Sequence, residues 1–251
     1  MNPSFKELHP TDCIIHHSRI DIWQYPLHTE FTDASSLLNE DETIRAKRYH
    51  FTRHQRRFTV ARAMMRLILA RYLHVSPKEL IFTYNHYGKP QLLNAPSLQF
   101  NLSHSGDLAL LAIGEESPLG IDVEFFSARP YEGIGQHLFS ANENQFLRQV
   151  SKQLKPLVFF NIWAQKEALI KACGLGLSYP TKQFDVPTMP GRSQQIIDSL
   201  HETTWKMLSF MPQSACSAAL CYNPKVQELR YLKLQDVSDI ARGSLPLKKG
   251  G

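Results

Sequence analysis

At 251 residues the chain has room for one large domain or two fused halves, given roughly 150 residues per domain, and it can bury a full core. Its 43% hydrophobic and 20% charged residues exclude a collagenous, low-complexity or largely disordered polymer. The net charge is 28 minus 23, or +5, but the excess is local: nine Lys/Arg and no Asp or Glu fall between Arg45 and Arg71. Such a block is either a solvated helix face or a surface that meets an anion. The apolar run Leu108 to Ile113 is far shorter than the ~18 residues of a membrane span, and Met1 to Asp12 has no basic segment followed by an apolar one. Cys13, Cys173, Cys216 and Cys221 contain no Cys-x-x-Cys pair and read as reduced thiols. A soluble, cytoplasmic protein is expected.

In chain order, Phe58, Ala61, Met65, Ile68, Leu69 and Tyr72 recur at helical spacing, and Arg53, Arg57, Arg62 and Arg66 fall mostly on the other faces. Ser76, Pro77 and Glu79 open a short helical turn. Strands are predicted at Leu80 to Tyr84, Leu98 to Leu102 and Leu108 to Ile113, with turns at Tyr87-Gly88 and Ser105-Gly106-Asp107. After a polar break at Glu115 to Pro118 a similar order recurs. Ser140 with Glu143 makes a capping box, Pro156 to Cys173 reads as a long helix stopped by Gly174, and strands are expected at Gln183 to Val186, Thr204 to Phe210 and Ser217 to Tyr222. A helix followed by three strands, twice, suggests an α+β fold of two similar halves, 1–116 and 117–242, although an ordinary α+β domain has the same inventory. The tail 243–251 is expected to be disordered from its Gly, Lys and Pro content.

Three segments carry candidate chemistry. In Gly120-Ile121-Asp122-Val123-Glu124 the two carboxylates share one face of a strand, where they need either water or a cation such as Mg²⁺. On the long helix, Trp163, Glu167 and Lys171 are each four residues apart, either as a core residue beside an exposed ion pair or as a metal ligand or base beside an anion contact. In Asn101-Leu102-Ser103-His104-Ser105, adjacent Ser103 and His104 face opposite ways and cannot act as nucleophile and base. They suit phosphate binding, or a polar turn. His50 and His54 lack a third zinc-type ligand, and Gly174-Leu175-Gly176 and Gly88-Lys89 match no standard nucleotide loop.

Four ordered segments, Tyr87-Gly88-Lys89-Pro90, Asn101 to Ser105, Gly120 to Glu124, and Trp163 to Lys171 running into Gly174-Leu175-Gly176-Leu177-Ser178, together resemble the Sfp-type 4'-phosphopantetheinyl transferases. The resemblance implies a pseudo-twofold pair of α+β halves with the active site in the cleft between them. It implies Mg²⁺ held by Asp122, Glu124 and Glu167, and coenzyme A contacts from Arg57, Lys89, Pro90, Ser103, His104 and Lys171. The implied catalytic residues are Glu167, Lys171 and Asp122, and the implied reaction moves phosphopantetheine from coenzyme A to a serine of an apo acyl or peptidyl carrier protein, releasing 3',5'-ADP. Such enzymes serve fatty acid, polyketide or nonribosomal peptide synthesis, and a monomer that binds neither nucleic acid nor membrane is expected. A noncatalytic coenzyme A-binding protein would keep the cations without needing the acidic set. A basic nucleic-acid-binding module would leave the carboxylates unexplained.

Overall fold

The structure, a computed structural model, describes residues 3–7, 13–198, 200–234 and 240. The tail 243–251 and the end of the 117–242 segment lie outside the described residues. The strands are β1 (Lys6–Glu7), β2 (Arg19–Pro26), β3 (Phe82–Tyr84), β4 (Pro90–Leu92), β5 (Leu98–Ser105), β6 (Leu108–Glu115), β7 (Gly120–Phe125), β8 (Ser193–Asp198), β9 (Thr203–Phe210), β10 (Cys216–Tyr222) and β11 (Glu228–Lys233). The helices are α1 (Glu40–Lys47), α2 (Thr52–Leu73), α3 (Tyr131–Leu138), α4 (Ala141–Gln149) and α5 (Lys155–Cys173). Two sheets have the orders β1-β11-β2-β6-β5 and β7-β10-β9-β8, and β3 and β4 form a separate hairpin.

The two apolar runs in the sequence explain the layering. In β6, Ala109, Leu111 and Ile113 pack with α2, while Leu108, Leu110 and Ala112 enter a second core shared with β10. In β10, Ala218 and Leu220 face that shared core, while Ala219 and Cys221 pack with α5. A strand covered on both faces loses the polar alternation of a half-exposed one. The layers are therefore helix, sheet, sheet, helix, with the sheets face to face in the middle.

In both sheets a strand ahead of the long helix pairs antiparallel with a later one, β2 with β6 and β7 with β10. The helix-then-strands order read from sequence thus lacks its leading strand in the first half. β2 was hidden because Asp21 interrupts its apolar pattern, yet Asp21 is 3% exposed: Arg230 and Tyr72 bond its carboxylate. β11, although it lies within 117–242, runs parallel beside β2 in the first sheet.

Two further departures have local causes. Gln183 to Val186 is no strand: a 3-10 turn spans Thr181–Gln183, and side chains take the backbone groups around it. Lys166 donates to the Thr181 and Phe184 carbonyls, Glu143 accepts from Val186 N, and Asn161 and Gln165 donate to the Pro187 carbonyl. Arg62 and Arg66, expected mostly off the apolar face of α2, are buried because Glu42 pairs with both. No disulfide joins any of the four cysteines. Among the described residues no helix is long and apolar enough to cross a membrane.

Candidate active site

The sheets meet where edge strand β5 runs beside edge strand β7, and side chains close the seam. Asn101 Oδ1 accepts from Ile121 N at 2.8 Å, Ser103 Oγ from Val123 N at 3.4 Å and Ser105 Oγ from Phe125 N at 3.1 Å. Alternate residues of β5 thus satisfy alternate amides of β7, as the two-residue period requires. The intervening Leu98 and Phe100 pack toward α2, and His104, in the same alternation, opens onto the cleft.

β7 alternates in the same way. Ile121 and Val123 enter the core between the sheets, and Gly120, Asp122 and Glu124 fall on the α5 face. Gly120 has a steric reason: a Cβ there would lie 2.1 Å from the Ala168 carbonyl oxygen and 2.4 Å from Ala172 N. Only a residue without a side chain lets β7 approach the helix this closely. The approach puts Lys171 Nζ 2.5 Å from Asp122 Oδ1 and 2.9 Å from Ser103 Oγ, which itself donates to Asp122 Oδ1 at 2.8 Å. Asp122 Oδ2 is buried and has no hydrogen-bond partner.

Glu124 and Glu167 feel that carboxylate. Burial first, and Asp122 second, push the Glu124 carboxyl up to about 7, and the same two causes raise Glu167. Ser105 Oγ donates to Glu124 Oε2 at 3.0 Å. Two carboxyls that burial keeps protonated beside a third carboxylate with an orphaned oxygen fit a hard divalent cation. They do not close into a compact cage here. Among the described residues, the one set of potential ligand atoms all within 4.8 Å of one another is Cys173, Asp198 and His201. There the protein already supplies the donors: Asp198 Oδ2 accepts from His201 Nδ1, Trp205 Nε1 and Cys173 Sγ, and its Oδ1 from Leu200 N. Burial works against that charge, but the hydrogen bonds from His201, Trp205, Tyr179 and Cys173 bring the carboxyl down to about 2.

Next to the seam, a cleft of about 330 Å³ lies between the halves, with Lys89, Pro90 and His104 from one side and Lys171, Gly174 and Gly176 from the other. It continues into an adjoining cavity of about 650 Å³ through a shared wall of Arg45, Tyr49, Phe58, Arg62 and Tyr84. Lys89 Nζ donates to the Leu119 and Ala172 carbonyls at 3.1 and 2.9 Å, joining the β3-β4 hairpin to the start of β7 and the end of α5. Burial lowers its ammonium to about 8. His104 is held below its usual range by the protein packed around it and then by the charges of Lys171, Arg57 and Arg45. The cations that add to burial in keeping His104 neutral also favour a bound anion there.

The sequence-predicted residues divide accordingly. Lys89, Pro90, His104 and Lys171 line the cleft, Asp122 and Ser103 stand with Lys171 at the seam, and Glu124 and Glu167 flank Asp122. Arg57 is not in the cleft wall. It binds Asp107 through two hydrogen bonds of 2.8 and 3.0 Å. Tyr87, from the Tyr87-Gly88-Lys89-Pro90 segment, lines the cleft as well, and so do Arg45 and Tyr84, which the sequence marked only as the start of the basic block and the end of a strand.

Residues 21–116 match the family model for 4'-phosphopantetheinyl transferase, N-terminal, and residues 118–220 match that for the 4'-phosphopantetheinyl transferase superfamily. The 4'-phosphopantetheinyl transferase HetI of Nostoc sp. is 33% identical over 223 residues, covering 84% of this chain and 90% of the relative. Sfp of Bacillus subtilis is 28% identical over 151 residues, 60% of this chain and 66% of that protein. The mouse L-aminoadipate-semialdehyde dehydrogenase-phosphopantetheinyl transferase is 28% identical over 183 residues, 66% of this chain and 57% of that protein. With both halves matched in order and a relative similar along most of its length, the chain belongs to the 4'-phosphopantetheinyl transferase superfamily and is an enzyme of that class.

Proposed function

We propose that the protein transfers 4'-phosphopantetheine from coenzyme A to a serine hydroxyl of an apo acyl or peptidyl carrier protein, in a Mg²⁺-dependent reaction that releases 3',5'-ADP. The observation that carries this reading is the buried, unpartnered Oδ2 of Asp122, set between two carboxylates of raised pKa and beside a cation-lined cleft. Asp122, Glu124 and Glu167 are the residues that would hold the cation. When bound, it supplies positive charge to the transferring and leaving phosphoryl oxygens.

The chain's own groups account for the rest. Lys89, His104 and Arg45 face the space in which the anionic end of coenzyme A would lie, with Pro90 beside its adenosine. Ser103 orients Lys171 and Asp122 rather than opening onto the cleft. The acceptor serine oxygen forms a bond to the β-phosphorus of coenzyme A as the bridging phosphorus–oxygen bond breaks, with the electron pair leaving on 3',5'-ADP. Glu167, beside Asp122, takes the serine proton directly or through water. Lys171 neutralises the departing phosphate.

The enzyme acts as a monomer in the cytoplasm, and its basic block does not serve nucleic acid. Arg57 is engaged by Asp107, Arg62 and Arg66 by Glu42, and Arg71 by the Ile240 carbonyl, so nearly half of the block's cations are taken up by the protein itself. Incubation with coenzyme A, Mg²⁺ and a panel of apo carrier proteins, followed by intact mass measurement, tests the reading. A gain of one phosphopantetheine on a carrier, absent with chelator, is expected. No gain on any carrier would overturn it.

A further inference from the structure

Helix α1 lies at the mouth of the cleft and is an unusual thing to find held in place. Its sequence, EDETIRAK, has five charged residues in eight, and only Glu42 and Ala46 are buried. Eight residues are too few for a helix to persist alone in water, and one alanine gives little apolar area to dock it. What docks it is Glu42, which is 2% exposed. Its Oε1 accepts from Arg62 Nε at 2.6 Å, and its Oε2 accepts from Arg66 Nε at 2.7 Å and from Asn39 N at 3.0 Å.

The two guanidinium groups come from one face of α2, a turn apart, and both are fixed from other directions. They lie 5.1 and 4.8 Å from the centre of the Phe82 ring. Arg66 also donates to the Pro77 and Leu80 carbonyls, and Arg62 to the Tyr84 hydroxyl at 3.0 Å. A carboxylate gripped by two immobile forks sets both the position and the rotation of the helix that carries it. Arg45 stands three residues further along that helix, over the Phe58 ring at 5.4 Å, where it lines the cleft and its charge reaches His104.

We infer that Glu42 is a positioning residue for coenzyme binding: by locking α1 onto Arg62 and Arg66 it holds Arg45 at the cleft, where Arg45 meets a phosphate of coenzyme A. The inference rests on the proposed function for the identity of the anion. It predicts an effect on KM rather than kcat, because Arg45 belongs to α1 and not to the β5–β7 seam, and its contact persists unchanged from bound substrate to transition state.

The test uses three variants of the whole enzyme, assayed with coenzyme A and a carrier protein, with hydrogen exchange read on segment 40–48. Glu42→Gln should raise the KM for coenzyme A roughly tenfold, keep kcat within about twofold, and speed exchange in that segment while the centre of α2 stays protected. Ala46→Gln, which lifts the same helix without removing a charge, should do the same and guards against a folding defect from unpaired arginines. Arg45→Ala should raise KM similarly, and adding Glu42→Gln or Ala46→Gln to it should cost little more. If Arg45→Ala raises KM and neither of the other variants does, or if their effects add in full, the role of Glu42 is overturned while the reading of the cleft stands. If Arg45→Ala leaves KM unchanged while the carrier is still modified, Arg45 has no phosphate contact and the positioning role falls with it. If no variant and not the parent enzyme modifies a carrier, the functional reading itself is at fault.

Discussion

Lys171 and Asp122 form an ion pair of 2.5 Å across the boundary between α5 and β7, but the two partners differ in exposure, 27% and 5% for their side chains. The asymmetry makes a prediction. Asp122→Asn leaves a lysine that water can still reach, so stability should fall by only ~1 kcal/mol, while transfer should drop by about 10²-fold or more. Lys171→Met leaves a buried carboxylate with Ser103 as its remaining donor, and should cost ~3 kcal/mol or more in metal-free protein. Added Mg²⁺ should restore much of the stability of Lys171→Met and little of Asp122→Asn. Thermal melts with and without Mg²⁺ measure this, and equal stabilisation of the two variants would remove Asp122 from the metal site.

Glu124 gives a pH signature. Its folded pKa of about 7 lies above the ordinary 4.5, so between those values the folded, metal-free protein holds a proton that the unfolded chain has released. The Glu124 contribution to stability is therefore full below pH 4.5 and declines as pH rises to about 7. Metal binding has the opposite slope, since the carboxyl must lose that proton to become a ligand. Mg²⁺ affinity should tighten by up to about tenfold per pH unit on approaching pH 7 and level off above it. Glu124→Gln should shrink both trends to the part that Glu167, raised by the same causes, contributes. A Mg²⁺ affinity in the parent enzyme that does not vary across this window would show that Glu124 is not a ligand.

How much of this was readable beforehand depended on whether a residue's role was local. The Ser140 capping box, the Gly174 stop of α5 with φ 72°, and the doubly covered β6 and β10 follow from near neighbours and short periods, and all were legible. β2 was not, because its Asp21 is made compatible with burial by Arg230, 209 positions away. Arg66 looked like a surface residue for a similar reason, its partner Glu42 lying 24 positions before it. At the site, the pairing of carboxylates at Asp122 and Glu124 was visible in a strand's period. The seam role of Asn101 was not, since it depends on a second strand arriving alongside.

Gly120 offers a steric test of how the site is assembled. An alanine Cβ at 2.1 Å from the Ala168 oxygen must retreat by about 0.9 Å to reach 3.0 Å, the closest approach real Cβ atoms show, and both neighbours belong to backbone. β7 must then move off α5, carrying Asp122 away from Lys171. Gly120→Ala should destabilise the fold by ~3 kcal/mol or more and reduce transfer further than the loss of folded protein explains. Urea unfolding and assays normalised to folded fraction separate the two effects. A stable, fully active variant would mean that this close approach is not what sets the seam.

The last prediction concerns the seam's amides. Ile121 N is buried with Asn101 Oδ1 as its acceptor at 2.8 Å, whereas Phe125 N, bonded to Ser105 Oγ at 3.1 Å, sits at the partly open end of the strand. Removing the first acceptor strands a donor where water cannot enter, so Asn101→Ala should cost ~1–3 kcal/mol. Removing the second leaves a donor that water can reach, and Ser105→Ala should cost about 0.5–1.5 kcal/mol. The functional order should be reversed. Ser105 also donates to Glu124, so its loss should push the Glu124 carboxyl still higher and move the rise in Mg²⁺ affinity to higher pH. Asn101→Ala leaves that hydrogen bond intact and should leave the pH of the rise where it was. Denaturant midpoints give the stability order and Mg²⁺ titrations across pH give the functional one. A Ser105→Ala profile superimposable on the parent enzyme's would mean that the seam only joins the halves and does not tune the carboxylate beside it.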